Sequence, residues 1–221
     1  MTQTVEEKTS FEHLLSRMGE SIRVERGEMI YQPGNPSNSV YVVEEGRVKL
    51  AYLDESGKKL TLVILDPGEI FGEMCLVGET HRRHLATAIE ETVVRCIDRQ
   101  VFANAINAVP PYLQLMLKHF AHRMNEFEET LEDLAFRDIQ GRLSRQLLKL
   151  SNDYGVKTKE GILIGFQITH KELADMIGSA RENTTLALNR FEREGILDKS
   201  RYRIVIKNEE GLREKCHAQQ N

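Results

Sequence analysis

Short hydrophobic runs separated by turn residues occupy the first half of the chain. From Ile22 to Ile97 these runs are rich in Val, Ile, Leu and Tyr, and no helical period of comparable strength interrupts them. Pro33-Gly34, Asp54–Gly57 and Pro67-Gly68 mark turns, and the second of these joins two strand-like runs as a hairpin loop does. The pattern predicts an antiparallel β-barrel or sandwich.

After Pro110-Pro111 the hydrophobic period changes to that of a coiled coil. Seven apolar residues recur at spacings of 4, 3, 4, 3, 4 and 3, which predicts a long helix that pairs with its copy in a homodimer. A single helix packed along its own β-domain is the alternative, because the pattern covers only about three heptads. The stripe consists of Leu113, Leu117, Phe120, Met124, Phe127, Leu131 and Leu134.

The long helix is expected to break before Asp138, which is a good N-cap for a second helix from Ile139 to about Ser151. We place a domain boundary and a hinge at Asp138. The predicted organisation is a β-domain over residues 1–109, a dimerisation helix over 110–137 and a DNA-binding domain over 138–221.

Two short helices and a tight turn are predicted between Ile168 and Leu197. Thr169 and Glu172 have the spacing of a capping box, and Gly178 supplies the backbone freedom that the turn needs. The second helix, from about Arg181 to Glu194, would present its N-terminal residues to the major groove as a recognition helix does. The alternating, basic segment that follows predicts a small wing hairpin that contacts phosphate.

Charge is distributed unevenly along the chain. Residues 1–138 carry 15 Lys and Arg against 23 Asp and Glu, whereas residues 139–221 carry 15 against 11. An acidic first part and a basic last part suggest that only the C-terminal region meets a polyanion.

Composition indicates the cellular compartment and the state of the cysteines. The 221 residues contain no apolar run long enough to span a membrane and no signal-peptide pattern at the start, so we expect a cytoplasmic protein. Three widely spaced cysteines, Cys75, Cys96 and Cys216, cannot build a disulfide framework or a four-thiolate site, and we expect reduced, mostly buried thiols.

Four motifs in a fixed order give the chain a resemblance to the CRP/FNR family of bacterial regulators, from about Phe11 to Cys216. The resemblance implies an α+β fold with a jelly-roll sensor of the cyclic-nucleotide-binding type, a long dimerisation helix and a winged helix-turn-helix. It also implies allosteric control of transcription, a palindromic operator and contact with RNA polymerase. The motifs are Gly46–Lys49, Pro67–Glu73, Leu134–Asp138 and Gly178–Glu182.

In this family a Glu near the start of the recognition helix accepts from a cytosine amino group, and an Arg beside it donates to a guanine or a phosphate. Arg181 and Glu182 match those positions. The alternative for Glu182 is a capping box with Ser179. Leu186 stands where many members have a second Arg, so the operator is expected to differ, with contact to a thymine methyl. The remaining residues expected to contact DNA are Thr169, Thr184, Thr185, Lys199 and Arg201.

The effector site is less well specified by the sequence. Gly72 and Glu73 match the family's ligand cassette, although Glu73 is equally explained as a carboxylate at a helix N-terminus. The family's phosphate-binding Arg and Ser align with His84 and Leu85, and Arg82 or Arg83 reaches inward only if the loop is longer. With Met74 and Phe127, these residues form the candidate effector site.

Cyclic AMP and haem are the two effectors to compare with the sequence. Cyclic AMP is not expected, because Phe127 and Glu128 replace the Thr and Ser that hold adenine in cyclic-AMP receptors. Haem held by His84 and Cys75 is an alternative to a solvated loop histidine. No iron–sulfur cluster and no metal site are expected, since the N-terminal cysteine cluster of the FNR type is absent.

The main alternative function is that of a ligand-binding regulatory module that acts through protein contacts rather than DNA. An enzyme is not expected, because no nucleophile–base set, phosphate-binding loop or metal-spaced His/Glu pair is found.

Overall fold

The computed structural model describes residues 13–200 and 202–217, without the side chains of Pro110 and His217. The chain divides into two compact units, one comprising residues up to Gly57 with Leu62–Phe127, the other Lys58–Thr61 with the residues after Phe127. The long helix thus passes from the first unit to the second at Phe127, whereas the sequence placed the boundary at Asp138.

Two four-stranded antiparallel sheets form the first unit. Their strand orders are β1-β8-β3-β6 and β2-β7-β4-β5. These sheets agree with the predicted antiparallel sensor domain, because each apolar run folds as a strand between the predicted turns. The strands are β1 (Glu20–Val24), β2 (Met29–Tyr31), β3 (Ser39–Glu45), β4 (Val48–Leu53), β5 (Lys59–Leu65), β6 (Ile70–Phe71), β7 (Leu85–Ala88) and β8 (Thr92–Asp98).

Alternating side chains from these strands build two hydrophobic clusters. One contains Val40 and Ile97 of the paired strands β3 and β8, together with Phe102 from a helix. The other surrounds Phe71, which is fully buried and stacks on Tyr41 with ring centroids 5.1 Å apart. The two-residue period is clearest in β5, where Thr61, Val63 and Leu65 are buried on one face.

Three helical segments belong to this part of the chain. A short 3-10 helix, Glu73–Val77, follows β6, and α1 (Arg99–Ala108) follows β8. The long helix α2 runs from Pro110 to Phe136. Within the described residues no helix is both long and apolar enough to cross a membrane.

The apolar stripe of α2 is largely exposed in the single chain. Leu117 is 61% exposed, Met124 58% and Leu131 65%. The buried face of the helix is the neighbouring one, and it carries Tyr112 and Met116. Most of the stripe is therefore exposed in the single chain, although Phe120, Met124 and Phe127 also line a cavity of the first unit.

The second unit combines helices with a small sheet of order β11-β12-β10-β9. Asp138 caps its first helix as predicted, because its Oδ1 accepts from the Gly141 amide at 2.7 Å. The helices are α3 (Ile139–Tyr154), α4 (His170–Met176), α5 (Arg181–Arg193) and α6 (Glu209–His217), and the strands are β9 (Gly155–Thr158), β10 (Gly161–Ile164), β11 (Leu197–Ser200) and β12 (Arg203–Ile206).

The turn between α4 and α5 has the predicted chemistry. Thr169 and Glu172 form a reciprocal capping box at the start of α4. Gly178 adopts a φ of 61°, a left-handed conformation that other residues rarely accept. Leu173 of α4 and Leu188 and Phe191 of α5 are fully buried, so the two helices share one core.

Candidate DNA-binding surface and effector cavity

The outer face of α5 carries the residues expected to read bases. Arg181 and Glu182 are exposed, Leu186 is 66% exposed, and Thr185 is half-buried. Ala180 is the N-cap of the helix and provides no side-chain cap. The capping box between Ser179 and Glu182 is therefore wrong, and the Glu182 carboxylate stays on the outer face.

Thr184 does not belong to that face. It is fully buried, and its hydroxyl donates to the Ala180 carbonyl oxygen at 3.0 Å. Its position four residues before Leu188 places it on the inner side of the helix, since residues four apart share a helix face. The expectation that Thr184 contacts DNA is wrong for this reason.

A polar cleft lies beside the N-terminus of α5. Its walls come from the start of α4, the start of α5 and the end of β11, so Thr169 and Lys199 meet Arg181 there, while Arg201 lies outside the described residues. Lys199 Nζ is held 2.9 Å from the Glu192 carboxylate, which reduces its free positive charge. The lining residues are Thr169, His170, Lys171, Arg181, Lys199, Ser200 and Tyr202.

His170 bridges the two helices of this motif. Its Nδ1 lies 3.1 Å from the Thr185 hydroxyl oxygen. Burial lowers the pKa of His170, and the nearby Lys199 and Arg181 lower it further. The sequence pattern did not single out this histidine, although its place directly after the N-cap Thr169 puts it at the same helix end as the predicted contacts.

A second cavity, of about 210 Å³, lies within the first unit. It contains most of the predicted effector residues, except Leu85, which is buried as the first residue of β7 opposite Ala51. The expectation for Leu85 is wrong because a strand residue facing the core cannot also face the cavity. The lining residues are Tyr31, Leu50, Leu62, Val63, Gly72, Glu73, Met74, Glu79, Arg82, Arg83, His84, Phe120, Arg123, Met124 and Phe127.

Arg82, rather than His84, supplies the inward cation. Its guanidinium donates to the carbonyl oxygens of Gly72 at 2.8 Å and Ser39 at 2.6 Å, and it lies 4.5 Å from the Tyr31 ring centroid. Gly72 permits this approach, because a Cβ there would stand 2.7 Å from Arg82 Nη1. In the described part of the chain the buried Arg82 has no carboxylate partner, and its Nε has no hydrogen-bond partner.

An ion pair from α2 crosses to the ligand cassette. Arg123 Nη1 lies 2.9 Å from Glu73 Oε1, and both side chains are more than nine-tenths buried. Arg123 also donates to the Ile70 carbonyl oxygen at 2.8 Å, whereas Glu73 Oε2 is buried without a partner in the described part of the chain. Glu73 therefore forms a buried ion pair in addition to standing at a helix N-terminus. The sequence did not predict the role of Arg123, because its place in the pattern is that of an ordinary polar residue on a surface helix.

His119 stands one turn before Arg123 on the same helix. Its Nε2 lies 3.1 Å from the Ile70 carbonyl oxygen and 2.9 Å from Arg123 Nη2. Burial and the adjacent Arg123 cation lower the pKa of His119 to about 4. The ring is therefore neutral at physiological pH.

The residues around the cavity do not fit the haem hypothesis. Cys75 is 1% exposed within the hydrophobic core, does not line the cavity, and burial raises the pKa of its thiol. His84 is half-buried with its ring 4.7 Å from that of Tyr52, so it is not a solvated loop residue. The described residues contain no group of three or more His, Cys, Asp or Glu side chains arranged for a metal ion.

Cyclic AMP is a partial fit. Arg82 and Glu73 both line the cavity, which places a cation and a carboxylate inside it. Phe127 also lines it, and a phenyl ring offers no hydrogen bond to the edge of adenine.

Two family models match the chain. The cyclic nucleotide-binding domain matches residues 21–108, and the Crp-like helix-turn-helix domain matches residues 141–215. Both matches fall within the parts that carry the cavity and the recognition helix, respectively.

Individual relatives are regulators of transcription. A CRP-like cAMP-activated global transcriptional regulator of Mycobacterium tuberculosis is 27% identical over 90% of this chain and 88% of its own length. A cyclic AMP receptor protein of Thermus thermophilus is 31% identical over 78% of this chain and 76% of its own. The crystal structure of a CRP/FNR family transcriptional regulator, also from Thermus thermophilus, covers 91% of this chain and 100% of its own, with 28% identity and a TM-score of 0.77.

The neutral His119 makes the stability of the first unit depend on pH. Its folded pKa of about 4 lies below its ordinary value of 6.5, so between these values the unfolded chain binds the proton and the folded chain does not. Stability contributed by the neutral ring is therefore lost as pH falls through this window. Urea unfolding followed across the window should show a shallower loss of stability with falling pH for His119→Gln than for the unaltered protein. The exposed His13→Gln is the control, and equal slopes for all three proteins would contradict the assignment.

Proposed function

The chain belongs to the CRP/FNR family of DNA-binding transcription regulators, and from this premise we propose that it works as a homodimer that reads a palindromic operator under effector control. The outward display of Arg181 and Glu182 at the N-terminus of α5 is the observation that carries the proposal. Two such helices related by a twofold axis would enter major grooves one helical turn apart.

The stripe on α2 supports the dimer. Exposed apolar residues at heptad spacing form a seam that a second copy of the helix buries by knobs-into-holes packing. Leu113, Leu117 and Leu131 are each more than half exposed in the single chain, which leaves this apolar surface available to a partner.

Base reading is assigned to the outer face of α5. Arg181 donates to guanine O6 and N7, and Glu182 accepts from the cytosine amino group. Leu186 contacts a thymine methyl, which distinguishes the operator from one read by a second Arg. Thr169, Lys199 and Arg201 hold the phosphate backbone and thereby position the helix.

The effector cavity is suited to a small anion with an apolar body. Arg82 is a buried cation whose charge no carboxylate in the described residues balances, and burial of an unbalanced charge is costly. Glu73 and Arg123 balance each other. The remaining wall is largely aliphatic and aromatic, with Phe127 in place of a hydrogen-bonding group, so we expect an anion other than cyclic AMP.

In this proposal the effector and the second subunit both contact α2. Phe120, Met124 and Phe127 belong to the dimer stripe and also line the cavity. A ligand that moves these side chains changes the packing of the two α2 helices and, through Asp138, the population of DNA-competent arrangements. RNA polymerase is the expected partner of the DNA-bound dimer. A module that acts through protein contacts alone would lack salt-dependent affinity for duplex DNA.

Leu117→Glu should dissociate the dimer. Each copy would place a carboxylate in the seam, which costs about 2 kcal/mol or more and weakens association about 30-fold. Sedimentation equilibrium measures this change. Gln114→Glu puts the same charge at an exposed position beside the stripe and should leave the dimer intact, and equal behaviour of the two variants would contradict the assigned seam.

Arg181→Ala should weaken operator binding about 10- to 100-fold and relax the preference at one base pair. Selection of sites from random duplex DNA, with and without cyclic AMP, identifies the operator, and titrations at several salt concentrations measure affinity. Arg213→Ala removes the same charge from the exposed surface of α6 and should keep both affinity and preference. A palindrome unchanged by Arg181→Ala and by Glu182→Gln would contradict the assignment to α5.

Arg82→Met should abolish the preference of the cavity for anions. Anilinonaphthalene sulfonate and the neutral phenylnaphthylamine share an apolar body, and only the first carries a negative charge. Fluorescence titration should show about tenfold weaker binding of the sulfonate to Arg82→Met, with the neutral dye unaffected. Arg82→Lys retains the cation and should retain the preference. Displacement of the sulfonate by cyclic AMP would overturn the expectation that this nucleotide is excluded.

A further inference from the structure

The contact between His170 and Thr185 links the first helix of the helix-turn-helix to the base-reading face of the second. His170 is the first residue of α4, and Thr185 follows Glu182 by one turn on α5. The Nδ1–Oγ1 distance of 3.1 Å is that of a hydrogen bond. The imidazole therefore orients a hydroxyl that lies between Glu182 and Leu186 on the face assigned to the DNA.

The charged groups around the ring come from three elements. Arg181 and Glu192 belong to α5, Lys199 belongs to β11, and Lys171 follows His170 on α4. Lys171 Nζ forms an ion pair with Asp175 Oδ1 at 2.7 Å, and Lys199 Nζ forms one with Glu192 Oε2 at 2.9 Å. Burial first, and then Lys199 and Arg181, lower the pKa of His170, so the free protein holds a neutral ring near neutral pH.

We infer that His170 is a positioning residue for base recognition: the proton on its ring decides whether the Thr185 hydroxyl meets the DNA as a hydrogen-bond acceptor or as a donor. The inference rests on the proposed recognition role of α5. It assigns a specificity-determining function to a residue outside the base-reading helix.

The two protonation states present different chemistry to the groove. In the neutral ring with its proton on Nε2, Nδ1 accepts the Thr185 hydroxyl proton, and the hydroxyl oxygen offers only lone pairs. That arrangement suits the amino groups of adenine or cytosine. In the protonated ring Nδ1 donates to the same oxygen, and the hydroxyl proton turns to guanine N7 or O6, or to thymine O4.

DNA itself favours the protonated state. The phosphates of a bound duplex stabilise a cation in the cleft that also contains Arg181 and Lys199. Operator binding is therefore coupled to proton uptake at His170, and affinity rises as pH falls by at most about tenfold per pH unit. The gain is largest for operators that present an acceptor to Thr185.

Site selection with the full-length protein at about pH 6 and about pH 8 tests the inference. We expect the preference at the base pair nearest Thr185 to change between the two pH values by about 3- to 10-fold. His170→Asn keeps a hydrogen-bonding group near the Nδ1 position without titrating and should show one preference at both pH values. Thr185→Val should lose the preference and keep the rise in affinity at low pH, whereas the exposed His13→Gln should behave as the unaltered protein.

The outcomes separate this inference from the proposed function. An operator with the same preference at both pH values in the unaltered protein would overturn the role of His170 and leave the proposed function intact. Absence of a selected palindrome in every arm would count against the proposed function. In that case the titration of the His170 ring, followed by NMR in the free protein, decides the matter: a shift on Thr185→Val supports the hydrogen bond, and an unchanged titration overturns it.

Discussion

The ion pair between Glu73 and Arg123 fixes which way the long helix faces. Both side chains are almost fully buried, and removal of one partner would leave an uncompensated charge in the interior, which is strongly destabilising. Because Arg123 must point at the cassette, Tyr112, Met116 and His119, at spacings of 4, 3 and 4 along α2, point the same way. One buried charge pair thus sets the rotation of the helix about its axis.

The apolar stripe follows from that rotation. Leu113, Leu117, Phe120 and Met124 each come one residue after a member of the buried series, so they lie on the adjacent face. That face is left for a partner helix along most of its length, while its central members also border the cavity. A ligand bound beside Arg123 would therefore act on the same side chains as a partner helix, and this overlap would couple the two binding events.

Periodicity in the sequence was sufficient to predict the strands, the apolar stripe of α2 and the helix-turn-helix, because each of these depends on the spacing of residues close together in the chain. The sequence did not predict the buried face of α2, because His119 and Arg123 interrupt its apolar pattern. The hydrogen-bond partners of these two residues lie about 50 residues away along the chain, in the cassette. The sequence left the identity of the inward cation open for a related reason. Whether Arg82 or His84 faces the cavity depends on the path of a loop between the cassette and β7, and no residue spacing specifies that path.

Thr184 illustrates a different error. Its position near the N-terminus of α5 suggested a base contact, yet its spacing from Leu188 and Phe191 already places it with the core residues. Position along a helix says which end a residue occupies, and period says which side it faces. The helical period therefore decides which residues can contact DNA. It places Arg181, Glu182, Thr185 and Leu186 on the outer face of α5.

The distribution of charge in the second unit strengthens the assignment of Arg181. Several basic residues there are neutralised within the unit, such as Arg145 by Asp133 and Lys215 by Glu194, so the excess of basic residues overstates the free charge. In the described residues Arg181 forms no ion pair, and it stands in the first turn of α5. A cation at that end opposes the helix dipole and costs stability. An unfavourable placement of this kind is typical of a functional site, where binding of a ligand offsets the cost in stability. For an arginine, the phosphates and guanines of DNA are ligands that offset this cost.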